Sequence, residues 1–168
     1  MFVAVDTNVL LDLALPKDVT HDAIELLRRR VKGVEVIVPP TVLEELSYIA
    51  THGTPVEKRL AITALQKLVH KWKFRPMDFI PVGHGITEAI AEKLRKRGIV
   101  PAAEMNDSLI VAEAALANCT ILLSSDKHLS EADAVAMTRV LKECDVEPVL
   151  VQTPAILVRK FSASVRKR

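Results

Sequence analysis

The sequence predicts a three-layer α/β/α sandwich built on a central, mainly parallel five-stranded sheet. Short continuous apolar runs alternate along it with longer amphipathic segments, the pattern of repeated β–α units. The right-handed crossover rule makes such a succession close into one open sheet with helices on both faces. The chain has 168 residues, 49% hydrophobic and 26% charged, which suits one domain with its own core. No internal repeat, low-complexity tract or interdomain linker interrupts it. One domain is expected over residues 1–154, followed by a short helix and basic tail over 155–168.

Strand one is expected over residues 2–5 (Phe-Val-Ala-Val), with a short helix over 8–15 that Pro16 stops. A second helix starts between Asp18 and Thr20, buries Ala23, Leu26 and Leu27, and ends at Gly33. Residues 34–38 form strand two. Pro39-Pro40-Thr41 opens the helix that carries Glu44 and Glu45, and Gly53-Thr54-Pro55 breaks into a long helix over 56–71. Strand three is placed at 79–82 and a helix at 87–97, closed by Gly98. A loop over 101–105 leads into the helix of Asp107. Strand four is expected at 120–123, a helix at 135–144 and strand five at 147–151. Gln152-Thr153-Pro154 then opens the last short helix.

Composition narrows the function classes. The formal charge is only +2, which neither demands nor excludes nucleic acid. Basic residues gather at Arg28-Arg29-Arg30, over 93–97 and over 159–168, so that a phosphate backbone would be held at a rim. The competing reading of each cluster is a solvated helix face or tail. Cys119 and Cys144 have no zinc or disulfide spacing and read as two reduced, buried thiols. The N-terminus enters a strand directly, with an acid at position 6, which is no signal peptide. No apolar stretch approaches the roughly 18 residues of a membrane span. A soluble, cytoplasmic protein with no membrane association is expected.

Four acids stand where strands end or helices begin. Asp6 follows strand one, and Asp126 follows strand four after Ser124 and Ser125. Asp107 lies in a first helical turn, and Glu45 follows Pro39-Pro40. Ligands of open α/β sheets bind beyond the strand ends, and carboxylates gathered there repel one another unless a cation neutralises them. Each acid also has a plain structural role available. Asp6 is a good helix cap, Asp107 favours the helix dipole, with Asn106 free to cap instead, and Asp126 suits a turn. Glu44 and Glu45 point about 100° apart on a helix, so only one faces the sheet; Glu45 is the choice, with Glu44 solvated. Ser124 is placed to orient a carboxylate or a bound water. The acids count through their joint placement rather than singly.

Val5-Asp6-Thr7-Asn8-Val9-Leu10-Leu11, Val42-x-x-Glu45-Leu46, Asn106-Asp107-Ser108-Leu109-Ile110-Val111-Ala112-x-Ala114 and Leu123-Ser124-Ser125-Asp126-Lys127-His128-Leu129 together resemble the four motifs of a PIN-domain ribonuclease. They look most like the toxin of the VapBC type of toxin–antitoxin pair, and the resemblance covers residues 2–154. It implies a metal site of Asp6, Glu45, Asp107 and Asp126, supported by Asn8 and Ser124, and Mg²⁺ or Mn²⁺ as cofactor. It also implies endonucleolytic cleavage of RNA, a homodimer and a partner antitoxin. The sequence departs from the pattern in two places: residues 130–145 add a helix after Asp126, and Glu44 beside Glu45 leaves the second motif ambiguous by one residue.

Oxygen ligands without Cys suit hard cations, and hydrolysis by activated water would leave a 5′-phosphate and a 3′-hydroxyl. A histidine-driven ribonuclease needs a His pair, whereas the five histidines are scattered and only His128 lies near an acid of the set. A non-catalytic PIN-like module binding RNA or protein is a rival that the complete acid set disfavours. A nuclease of RNA processing or decay usually carries an extra module, such as a zinc ribbon, that two cysteines cannot build. A nucleotide-binding domain would need glycines after strand one, where Asp6-Thr7-Asn8-Val9 has none.

Overall fold

The computed structural model describes residues 1–16, 18–77 and 84–165. Five parallel strands form one sheet in the order β3-β2-β1-β4-β5. They are β1 (Phe2–Val5), β2 (Glu35–Val38), β3 (Arg75–Pro76), β4 (Cys119–Leu123) and β5 (Leu150–Gln152). The helices are α1 (Thr7–Ala14), α2 (Asp18–Arg30), α3 (Pro40–His52), α4 (Pro55–Leu68), α5 (His84–Lys96), α6 (Met105–Leu116), α7 (Lys127–Ser130), α8 (Ala134–Lys142) and α9 (Pro154–Val165). With helices packed over the sheet, the architecture is the three-layer α/β/α sandwich expected. None of the described helices is long and apolar enough to cross a membrane.

β1 is central, and Val3, Ala4 and Val5 are fully buried, because a parallel sheet is covered on both faces and its inner strands must be apolar on both. Scarce aromatics leave most of the core to aliphatics: after Phe74, the residues Leu10, Leu27, Leu46, Leu94, Ile110 and Leu122 are among its largest fully buried side chains. α3 packs on α4 and α6, α5 on α6 and α8, and α9 on α2. The C-terminal segment therefore docks as a helix up to Val165 and is longer than the short helix expected.

Local chemistry sets the boundaries. Gly33 and Gly98, at φ 70° and 67°, follow α2 and α5, where the left-handed conformation ends a helix at no steric cost. Thr54 caps α4 through a full capping box with Glu57, and Pro55 takes the first helical position.

Several features depart from the sequence reading, among them strand five, which is Leu150–Gln152 where 147–151 was expected. Residues 79–82, assigned to strand three, lie outside the described residues; within the described residues the third strand is the pair Arg75–Pro76, joined to Ile37 and Val38. A two-residue edge strand containing proline has no periodicity to detect. One turn of helix, α7, also follows Asp126 directly, where the sequence suggested only a turn. Cys119 is buried as expected, whereas Cys144 is only half-buried; both are free thiols.

Candidate active site

The strand order places the topological switch between β1 and β4, since the chain leaves β1 toward β2 on one side and returns through β4 on the other. Open α/β sheets bind ligands beyond the carboxyl ends at such a point. Asp6 and Ser124 directly follow those two strands, and Asp6 N–H donates to Leu123 O at 2.9 Å. α3 leaves the same edge after β2, and α6 begins there before it returns to β4.

Asp6 is 3% exposed and does two things. One oxygen, Oδ1, accepts from Thr7 N at 2.6 Å and caps α1. The other, Oδ2, accepts from Ser124 Oγ at 2.6 Å and from Asn8 Nδ2 at 2.7 Å. Burial pushes this carboxyl up to about 6. The hydrogen bonds from Ser124, Thr7 and Asn8 oppose the rise, and the charge of Glu45 adds to it.

Glu45 is half-buried and Glu44 exposed. Thr7 Oγ1 donates to Glu45 Oε2, and Asn106 Nδ2 donates to Oε1 at 2.6 Å. Asn106 thus reaches across to α3 instead of capping α6, whose first residue follows Glu104 with no side-chain cap.

Asp107 lies in the first turn of α6. Its Oδ2 is buried without a hydrogen-bond partner. Burial raises the carboxyl to about 7, helped by the charges of Asp6, Asp126, Glu104 and Glu45 in that order. Asp126 caps α7 through His128 N at 2.6 Å, and its own N–H donates to Ser124 Oγ at 3.0 Å. Ser124 Oγ therefore links two of the acids, while Asn8 Oδ1 accepts from Ser125 N at 2.9 Å.

All six residues singled out from the sequence thus meet at one edge of the sheet. Among the described residues, no group of three or more His, Cys, Asp or Glu side chains already surrounds a point that would hold a metal ion. The donor set nonetheless suits a hard cation: the ligating atoms on offer are carboxylate oxygens, and Asp107 Oδ2 has no other partner.

Two further acids were missed. Glu104 adds to the field on Asp107 and lies 3.8 Å from His128 Nε2. Glu113, 6% exposed, accepts from Thr41 N at 3.1 Å and Thr41 Oγ1 at 2.7 Å. It sits on the buried face of α6, where the sequence pattern alone calls for an apolar residue. A basic rim is only partly available. Lys93 and Arg97 pair with Glu143, Lys96 with Glu92, Arg95 with Ser108, and Arg29 with Glu25.

The family model of the PIN domain matches residues 3–135, a span that includes all four expected acids. The fold is similar to that in the crystal structure of VapBC2 from Rickettsia felis bound to a DNA fragment from their promoter. The TM-score is 0.62 at 18% identity, over 91% of this chain and 98% of that one. FitAcB from Neisseria gonorrhoeae is similar at a TM-score of 0.50 and 17% identity, over 90% and 97% of the two chains. At these identities the likeness is one of fold. No curated protein sequence matches the chain. Over 3–135, most of its length, the chain belongs to the PIN-domain family.

Proposed function

We propose that this chain is a metal-dependent endoribonuclease, the toxin of a toxin–antitoxin pair, with Asp6, Glu45, Asp107 and Asp126 as its catalytic and metal-binding residues. One observation carries the reading: a buried Asp107 oxygen without a partner, on a carboxyl that burial raises to about 7 with the help of the neighbouring carboxylates. A fold spends stability on such a cluster, and a divalent cation offsets that cost.

Asp6, Glu45, Asp107 and Asp126 would hold Mg²⁺ or Mn²⁺, which supplies positive charge to the scissile phosphate and activates water for in-line attack. The chain's own part is orientation. Ser124 and Asn8 fix Oδ2 of Asp6, while the cap to Thr7 fixes Oδ1. Thr7 and Asn106 hold both oxygens of Glu45. Asp107 Oδ2 has no other partner, and burial with the neighbouring charges raises that carboxyl to about 7. The fold likeness to VapBC2 and FitAcB supports an antitoxin as partner; an RNA substrate and a homodimer follow from the motif resemblance.

The test is cleavage of a labelled RNA pool by purified chain with Mg²⁺, Mn²⁺ or chelator, beside Asp6→Asn and Asp107→Asn. Metal-dependent cutting that both substitutions abolish is expected. Cutting that persists in chelator, equal in all three proteins, would assign the activity to a contaminant and remove the nuclease reading.

A further inference from the structure

Past Glu45, α3 carries Tyr48 three residues on and His52 four beyond that, on the same side of the helix. Their rings stack at 4.5 Å between centroids and 19° between planes, yet Tyr48 is 65% exposed. The pair is already ordered, because His52 Nδ1 lies 2.7 Å from Thr51 Oγ1 and 3.3 Å from Tyr48 O. Beside it opens a groove of about 540 Å³ lined by Glu44, Glu45, Tyr48, Ile49, Asn106 and Leu109. Glu45 and Asn106 belong to this groove and to the acidic site alike, so one continuous surface joins them.

The chemistry of the lining selects an occupant. Glu44 and Glu45 border it, and their charges reach as far as the buried Glu113. A phosphate is repelled there. A flat aromatic ring with N–H groups on its edge is not, since Tyr48 offers a stacking face and Glu44 an acceptor. Single-stranded RNA presents such rings once its bases unstack, and their Watson–Crick edges are then open to side chains. Carboxylates accept from exocyclic amines, and guanine offers two adjacent N–H donors, whereas uracil has no exocyclic amine and flanks its one N–H with carbonyl oxygens. We infer that this groove is a base-reading subsite, in which Tyr48 stacks a nucleobase next to the scissile phosphate and Glu44 selects one bearing an exocyclic amine, guanine above all. The inference rests on the nuclease reading proposed above and adds a specificity element to it.

The test uses the full chain and short single-stranded RNAs identical except for one base. Cleavage is followed with Mn²⁺, and binding by fluorescence anisotropy without metal. Tyr48→Ala should raise KM and weaken binding about tenfold, the scale of one lost base–aromatic stack, with kcat nearly kept. Tyr48→Phe should restore both. Glu44→Gln should level the preference between guanine and uracil while overall cleavage continues. RNA that binds through Tyr48 without being cut would leave the subsite standing and the nuclease reading fallen. Cutting indifferent to both positions would overturn the subsite alone. A wild-type dimer that Tyr48→Ala converts to monomer in sedimentation would assign this face to a second copy of the chain and overturn the inference.

Discussion

Glu113→Gln separates two opposing effects at one buried carboxyl. Glu113 reaches from α6 to Thr41, the second residue of α3, where Pro39 provides no side-chain cap. It acts as a cap supplied by a neighbouring helix, and it ties the helix of Asp107 to the helix of Glu45. Burial raises its carboxyl from 4.5 to about 6, opposed by the Thr41 hydrogen bonds and aided by Glu44 and Glu45. Because the folded value lies above the unfolded one, the contribution to stability is complete below about pH 4.5 and is lost as pH rises through about 6. A rise from 4.5 to about 6 corresponds to about 2 kcal/mol, at about 1.4 kcal/mol per pH unit.

Glutamine offers Thr41 N–H the same acceptor and Thr41 Oγ1 a donor, and it carries no charge. Near pH 4.5 the two proteins should differ by less than about 1 kcal/mol, because an isosteric hydrogen-bonded pair is exchanged for another. By about pH 7.5 the difference should have moved about 2 kcal/mol in favour of Glu113→Gln. Glu113→Ala should behave otherwise. It strands two buried donors at about 1–3 kcal/mol each, and it should lose stability at every pH, most at the acid end. Urea unfolding in chelator at several pH values measures all three proteins, provided the slopes match. A Glu113→Gln difference that stays flat from about pH 4.5 to 7.5 would refute the reasoning, since burial would then not dominate the hydrogen bonds at this carboxyl.

Asp107→Asn should melt higher than wild type in chelator at alkaline pH, because its carboxyl is raised from 3.8 to about 7 by burial and then by its acidic neighbours. Thermal unfolding should show the gap closing as pH falls toward 3.8, and added Mg²⁺ should stabilise wild type alone; a lower melting point for the variant at high pH would rule this out. Ser124→Ala removes the hydroxyl shared by Asp6 and Asp126 and should cut cleavage about 10–100-fold, the usual cost of losing a group that orients a ligand; unchanged rates would show that Ser124 orients nothing. Burial raises the Cys119 thiol to about 11, so a thiol reagent should label it only after denaturation, whereas half-buried Cys144 should react in the native protein. Equal labelling of both would contradict the packing of β4.

The fold was legible wherever a single chain segment carries its own pattern. β1, β2 and β4 are mainly apolar runs because both faces of a parallel sheet are covered, and Gly33, Thr54 and Gly98 mark helix ends by chemistry that is local in sequence. β3 was not legible. Arg75–Pro76 becomes a strand only through its register with Ile37 and Val38, and two residues cannot display a period. α7 has the same difficulty, since one helical turn after Asp126 follows from the cap to His128 N and the burial of Leu129. Such elements are decided by their neighbours in space.

The acidic site divides along the same line. Asp6, Asp107 and Asp126 could be found because each sits at an element boundary, where an acid after or before apolar residues stands out. The choice of Glu45 over Glu44 rested on helical angle, and the geometry of α3 places Glu45 inward on Thr7 and Asn106 with Glu44 outward. Asn106 and Glu113 read differently in sequence and in space. Asn106 looked like a cap and is a bridge between α6 and α3, while Glu113, which the sequence did not single out, is a bridge in the opposite direction. Neither role exists within α6 alone, because both depend on how closely α3 packs against it. Two cross-links between the same pair of helices hold Glu45 and Asp107 at a set separation. Burial is the main reason that the Asp107 carboxyl rises to about 7, and the charges of Asp6, Asp126, Glu104 and Glu45, held close with no cation between them, add to it.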